Sequence, residues 1–127
     1  MITEVIPTNK LYLKWIDNTI GWGVFTAEDI KKDEIVETCY CLLDNRQVTY
    51  HKDYIFSLDR KTNDSFLVLG YGSIYNHSNE PNVQSRIISY EQRFIEFFAL
   101  RDIEKGEQLC HDYGVEYWLK RKKTKLI

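Results

Sequence analysis

The stretch "YGSIYNHSNEPNV", Tyr71 to Val83, places Asn76, His77, Ser78, Asn79, Pro81 and Asn82 within seven positions, directly behind an apolar run. Reversing a chain takes one or two turn-formers, so this segment holds more hydrogen-bonding capacity than a turn needs. Asn76 and Asn82 can each donate and accept, and His77 can do both from its two ring nitrogens. Such groups suit a purine edge or a neighbouring backbone segment. The plainer alternative is a loop whose Asx-type bonds satisfy themselves.

Two further constellations flank it. In "IGWGVFT", Gly21 and Gly23 bracket Trp22 where a strand should begin. Glycines there allow close backbone approach to a ligand, or else a bulge that buries Trp22. In "GEQLCHDYGVEYW", Tyr113, Tyr117 and Trp118 have helix-like spacing, with Asp112 and Gly114 around Tyr113 in a turn-like context. An aromatic core stripe capped by Asp112 is the bland reading. A phenol, with pKa near ~10, is a poor general base at neutral pH but a good hydrogen-bond partner and apolar wall.

These residues must be positioned by a chain of 127 residues, 43% hydrophobic and 14% aromatic, the size of one domain with a real core. Strands are expected at "LYLKWI", "WGVFT", "EIVETCYCLL", "YIFSL", "FLVLG", "VQSRIIS" and "RFIEFFAL", from alternation and β-branched or aromatic content. "KKDE", "KTNDS" and "EKGE" read as turns, "AEDI" as a single helical turn and "VEYWLKRKK" as a terminal amphipathic helix. The expected fold is mainly β, in one domain spanning 1–127.

Charge and cysteine usage narrow the function classes. The net charge of −2 conceals a tail, "KRKKTKLI", with five basic residues and no acid; residues 1–119 carry 12 basic against 19 acidic side chains. An acidic body of balance −7 steers basic partners towards it. The tail could touch nucleic acid, but five charges are too few to make that the main activity. No apolar run reaches the ~20 residues of a membrane span and no signal pattern opens the chain, so a soluble intracellular protein is expected, cytoplasmic or in a host nucleus if it is viral or effector-like. Cys39, Cys41, Cys110 and His111 lack the turn-spaced pairs of a zinc site, so no metal is expected.

Taken together and in order, the G-x-G, N-H-S-x-x-P-N and G-E-x-L-x-x-D-Y-G segments resemble the SET-domain methyltransferases, over about Gly21 to Trp118 with the basic tail 119–127 beyond. Without cysteine-rich flanking modules, the chain looks most like the minimal viral and microbial members. The resemblance implies short curved strands in small sheets, a knot-like C-terminal threading through the N-H-S loop, and a short C-terminal helix. It implies S-adenosyl-L-methionine as cofactor and a basic protein or peptide, such as a histone tail, as substrate for lysine N-methylation. Gly21, Trp22 and Gly23 would line the methionine half of the cofactor, and Asn76 and His77 the adenosine half. Tyr113 would be the catalytic tyrosine beside the sulfonium methyl, also touching cofactor, and Trp118 would pack against adenine. Tyr54, His111 and Tyr117 would wall the lysine channel.

The sequence departs from the family pattern in three places. Ser73 replaces an arginine often found three residues before the N-H-S asparagine. Asn79 replaces a zinc-linked cysteine, so "EYWLKRKKTKLI" must close the site. His111 stands where many members carry Phe or Tyr, which leaves the number of methyls open. The competing reading is a catalytically idle SET fold that holds peptide or cofactor. A core this small with exposed aromatics could also dimerise.

Overall fold

The computed structural model describes residues 1–44, 55–59 and 64–112. The expected fold class holds: the described residues are mainly strands, in two small sheets, with almost no helix. These are β1 (Leu11–Asp17), β2 (Gly21–Thr26), β3 (Ile35–Asp44), β4 (Ile55–Asp59), β5 (Asp64–Val68), β6 (Asn76–His77), β7 (Val83–Ser89), β8 (Phe94–Ala99) and β9 (Gln108–His111). One sheet has the order β1-β2-β9-β6 and the other β4-β5-β3-β8-β7.

Local pattern explains most of these elements. In β8, Ile95, Phe97 and Ala99 alternate inward while Phe94, Glu96 and Phe98 are half-buried, as the two-residue strand period requires. The outer strand β7 is more polar; Arg86 on it bonds Glu96 and lies 4.6 Å over the Phe98 ring. Charged residues on an outermost strand discourage further pairing. Between the sheets lies a core that includes Val24, Phe66, Val68, Tyr75, Phe97, Ile103 and Leu109. Tyr75 meets Phe97 edge-on at 4.9 Å, a favoured aromatic geometry.

The structure departs from the sequence reading at three points. "AEDI" forms no helical turn: Ala27 and Glu28 are bends, and Ile30 makes an isolated antiparallel bridge to Ile103. Its backbone donors are taken by tertiary partners instead, Ala27 N–H by the Lys10 carbonyl at 2.6 Å and Ile30 N–H by that of Ile103 at 2.8 Å. The polar loop is not wholly irregular, since Tyr71–Ser73 is a 3-10 turn and Asn76–His77 a strand. "QLCH" is a further strand, β9, that alternation over four residues is too short to announce. The expected terminal helix at "VEYWLKRKK", and the threading beyond it, lie outside the described residues.

The 3-10 turn packs so closely that one position excludes any side chain. A Cβ on Gly72 would stand 2.2 Å from Phe97 Cε2 and 3.0 Å from Val68 Cγ1. Both neighbours are buried core residues with little room to yield. Gly72→Ala should therefore destabilise the fold by about 1–3 kcal/mol, the usual range for overpacking. Chemical denaturation measures this directly; an unchanged midpoint would mean that the turn relaxes freely.

Candidate functional site

The structure gathers six of the expected site residues on the β2-β9-β6 sheet: Gly21, Trp22, Gly23, Asn76, His77 and His111. β6 pairs with β9 in parallel, with Asn76 opposite Cys110 and His77 opposite His111. Next to them β2 pairs with β9 through Val24–Leu109 and Phe25–Gln108. Asn76 then ties all three strands together. Its Nδ2 donates to the Trp22 carbonyl at 3.2 Å and to Gln108 Oε1 at 2.8 Å.

Gly23 permits this convergence. A Cβ there would lie 2.7 Å from Ile16 Cδ1 and 2.8 Å from Gln108 Oε1, the atom that receives Asn76. Trp22 does not enter the core: its ring is 54% exposed and meets Trp15 edge-on at 5.6 Å. The strand thus leaves the Trp22 indole half-exposed against Trp15, while the Trp22 backbone carbonyl receives the Asn76 amide. Gly21 starts the strand opposite Asp17, next to a bulge in β1.

His77 is placed differently from its neighbour. Its side chain is only 2% exposed, with Nδ1 3.5 Å from Asp112 Oδ1 and Nε2 3.1 Å from Asn79 Oδ1. A direct ring contact to a ligand would require one of those groups to move. Asn82 is likewise spent on protein. Its Nδ2 donates to the Gln108 carbonyl at 2.8 Å, and its Oδ1 accepts the Cys110 N–H at 2.9 Å. Of the two uses open to these amides, Asn82 takes the neighbouring-backbone one.

His111 faces inward, edge-on to Tyr75 at 6.2 Å. Burial and the adjacent His77 push its pKa down to about 4, against smaller upward pulls from Asp112 and a hydrogen bond to the Tyr75 backbone. The imidazole is therefore neutral at physiological pH. Burial pushes the Cys41 thiol up to about 12 and Cys39 higher still, with Glu37 adding to the latter. Both thiols are therefore protonated and unreactive at physiological pH, and among the described residues no three potential metal ligands cluster.

Sequence reasoning missed Gln108, the second anchor of Asn76, and Glu37, whose buried carboxylate sits under the 3-10 turn. Gln108 carries no motif signal. Glu37 does share strand parity with Cys39 and Cys41, and that marks it as inward-facing. Tyr54, Tyr113, Tyr117 and Trp118 lie outside the described residues. A cleft of about 760 Å³, lined by Leu13, Glu37, Tyr40, Leu69, Tyr71 and Phe94 among others, includes none of the expected site residues gathered on β2, β9 and β6. Motif convergence is better guidance than cleft size here, because the strands closing round Asn76 carry the specific polar contacts.

A half-exposed indole, a backbone-anchored amide and a buried imidazole thus meet on one small sheet. The SET domain family profile matches residues 21–114, most of the chain, and the protein belongs to that family. It is 36% identical over 112 residues to the human histone-lysine N-methyltransferase EHMT1, a match covering 78% of this chain and 9% of that protein. A Schizosaccharomyces pombe histone-lysine N-methyltransferase, H3 lysine-37 specific, is 29% identical over 107 residues, covering 77% of this chain and 69% of the relative. The fold superposes on the crystal structure of a Plasmodium falciparum protein assigned as a histone methyltransferase, with TM-score 0.72 and 30% identity, over 87% of this chain and 98% of that one. The chain spans about a tenth or less of the first curated relatives it matches.

The perturbed imidazole makes a stability prediction. His111 has a folded pKa below its unfolded value near 6.5, so the unfolded state binds more protons between roughly pH 4 and 6.5. Its contribution is complete above that window and is lost on acidification through it, on the order of 2–3 kcal/mol. Glu37, whose pKa burial raises, works in the opposite sense, favouring the fold at lower pH. Comparing wild type with His111→Asn between pH 4 and 7 isolates the histidine: the variant should lose less stability on acidification. Parallel curves would refute a buried neutral His111.

Proposed function

We propose that the protein is an S-adenosylmethionine-dependent protein-lysine N-methyltransferase. The observation that carries this is the tie from Asn76 to the Trp22 carbonyl and Gln108, which joins the G-W-G strand, the N-H-S loop and β9 into one site. That site suits the cofactor chemically. Trp22 offers an exposed apolar face beside a polar amide, and neutral His111 adds no like charge to a sulfonium held against β6 and β9. Gly21, Trp22, Gly23, Asn76, His77, Tyr113 and Trp118 would hold the cofactor, His77 chiefly by fixing the loop. When bound, the cofactor supplies an electrophilic methyl on sulfur, which a lysine amine takes in line as the carbon–sulfur bond breaks and its electrons return to sulfur.

The chain's own work is then to deliver a neutral amine in line. A free lysine titrates near ~10.4, so little of it is neutral at pH 7. An aromatic channel of Tyr54, Tyr113 and Tyr117, with His111 as a further wall, disfavours the ammonium by desolvation. Tyr113 orients the amine, and positioning supplies much of the remaining rate. The negative balance of residues 1–119 suits a basic protein substrate, and histone tails are the first class to test because the relatives are named for histone lysines.

Binding and turnover test separate parts of this reading. S-adenosylmethionine or its demethylated product should bind and raise the melting temperature by mass action. Calorimetry showing no binding at millimolar ligand to well-folded protein would sink the proposal. Tyr113→Phe should cut kcat on the order of a hundredfold while KM stays near its original value, as expected for a hydrogen bond made mainly in the transition state. Tight cofactor binding with no methylation of any basic substrate would instead indicate an idle module.

A further inference from the structure

Glu37 is a charged side chain only 8% exposed, at the wall of the cleft, on the strand that runs between β5 and β8. Its two oxygens are held separately. Oε2 accepts the Tyr71 N–H at 2.9 Å, and Oε1 accepts the Tyr75 O–H at 2.9 Å. Both donors belong to the segment Tyr71–Tyr75, and Tyr75 is covalently joined to Asn76. One carboxylate on the five-stranded sheet therefore grips the segment that enters β6 of the other sheet.

The grip is costly enough to need a reason. A buried carboxylate without full compensation is strongly destabilising, and a well-packed apolar residue is often as good for stability. Burial raises the Glu37 pKa, although the Tyr71 N–H and the Tyr75 hydroxyl pull it down. What the acid supplies that an apolar side chain cannot is direction: its two oxygens fix both the start of the 3-10 turn and the ring just before Asn76. Asn76 can meet Trp22 and Gln108 together only if that segment arrives at one height along β9.

We propose that Glu37 is a positioning residue for the cofactor site, its buried carboxylate setting the register at which Asn76 and His77 pair with β9. The proposal deepens the methyltransferase reading and rests on it for the ligand, but its structural half can be read without any ligand. Glu37 touches no reacting atom; it acts through Tyr71 and Tyr75.

The test compares Glu37→Leu, Glu37→Gln and Tyr75→Phe with Ile103→Val, a control that trims the core at the Ile30 bridge. Two quantities are measured in the full chain: the S-adenosylmethionine dissociation constant, and hydrogen exchange at Ser78, whose N–H bonds the His111 carbonyl at 3.0 Å. Glu37→Leu should weaken binding about tenfold or more and speed exchange at Ser78 while the β7–β8 amides keep their protection relative to the control. Glu37→Gln, which keeps an acceptor for Tyr71, should stay within about threefold of wild type, and Tyr75→Phe should fall between. Glu37→Leu with the control's affinity and the control's Ser78 exchange would overturn the proposal. If Glu37→Leu does not fold, the other two variants decide, and a Tyr75→Phe indistinguishable from wild type in both readouts overturns it. Faster Ser78 exchange in a protein that binds no cofactor even as wild type would uphold the positioning role and refute the methyltransferase reading.

Discussion

Everything gathered in the candidate site depends on one short parallel pairing, Asn76–His77 against Cys110–His111. Two residues of ladder are a weak join by themselves, since each backbone hydrogen bond contributes only about 1 kcal/mol net. The pairing is reinforced from outside the ladder. Asn82 clamps the backbone of Gln108 and Cys110 with its amide, and its own N–H donates to the Cys110 carbonyl at 3.1 Å. At 4% exposure those bonds are shielded from water, and leaving any of them unmade would carry a desolvation cost. Parallel strands need a long connection between them, and here that connection includes β7 and β8 of the other sheet.

The segment feeding that pairing is fastened at both ends by different chemistry. Its start is held by the Glu37 carboxylate and by the fit of Gly72 against Phe97. Its end is held by the amides of Asn76 and Asn82 on β9 and its neighbours. Between them Tyr75 serves twice, as an edge-on partner of Phe97 and as a donor to Glu37. A buried phenol needs a hydrogen-bond partner, and a buried carboxylate needs donors; each satisfies the other's requirement.

The two perturbed groups near this segment have opposite protonation behaviour. Burial keeps His111 neutral by lowering its pKa and raises that of Glu37, so low dielectric acts against charge in both. The environment tolerates the Glu37 charge because Tyr71 and Tyr75 donate to it, and removes that of His111 first by burial and then by the neighbouring His77. A site built for a cationic cofactor and a neutral amine would gain from such surroundings, since a second fixed positive charge would repel both the sulfonium and an arriving lysine.

Sequence alone determined the fold class, since β-branched and aromatic alternation in "VQSRIIS" and "RFIEFFAL" is a local property that the strands simply express. It also marked Gly21, Gly23, Asn76, His77 and His111, because three polar or glycine-bearing segments in that order have few uses. Tertiary structure decided the rest. "AEDI" lost its helical turn because Lys10 and Ile103 claim its backbone, and a helix propensity over four residues is too weak to resist. β6 became a strand only on meeting β9, which β2 pairs from its other side, and the pairing of positions 76–77 with 110–111 leaves no trace in either segment's pattern. How far each asparagine is enclosed was settled the same way. Asn76 and Asn82 are identical in type and six residues apart, yet Asn76 stands at a half-open edge beside Trp22 while Asn82 is enclosed on β9. Burial sets that difference, and burial belongs to the assembled fold rather than to the residue.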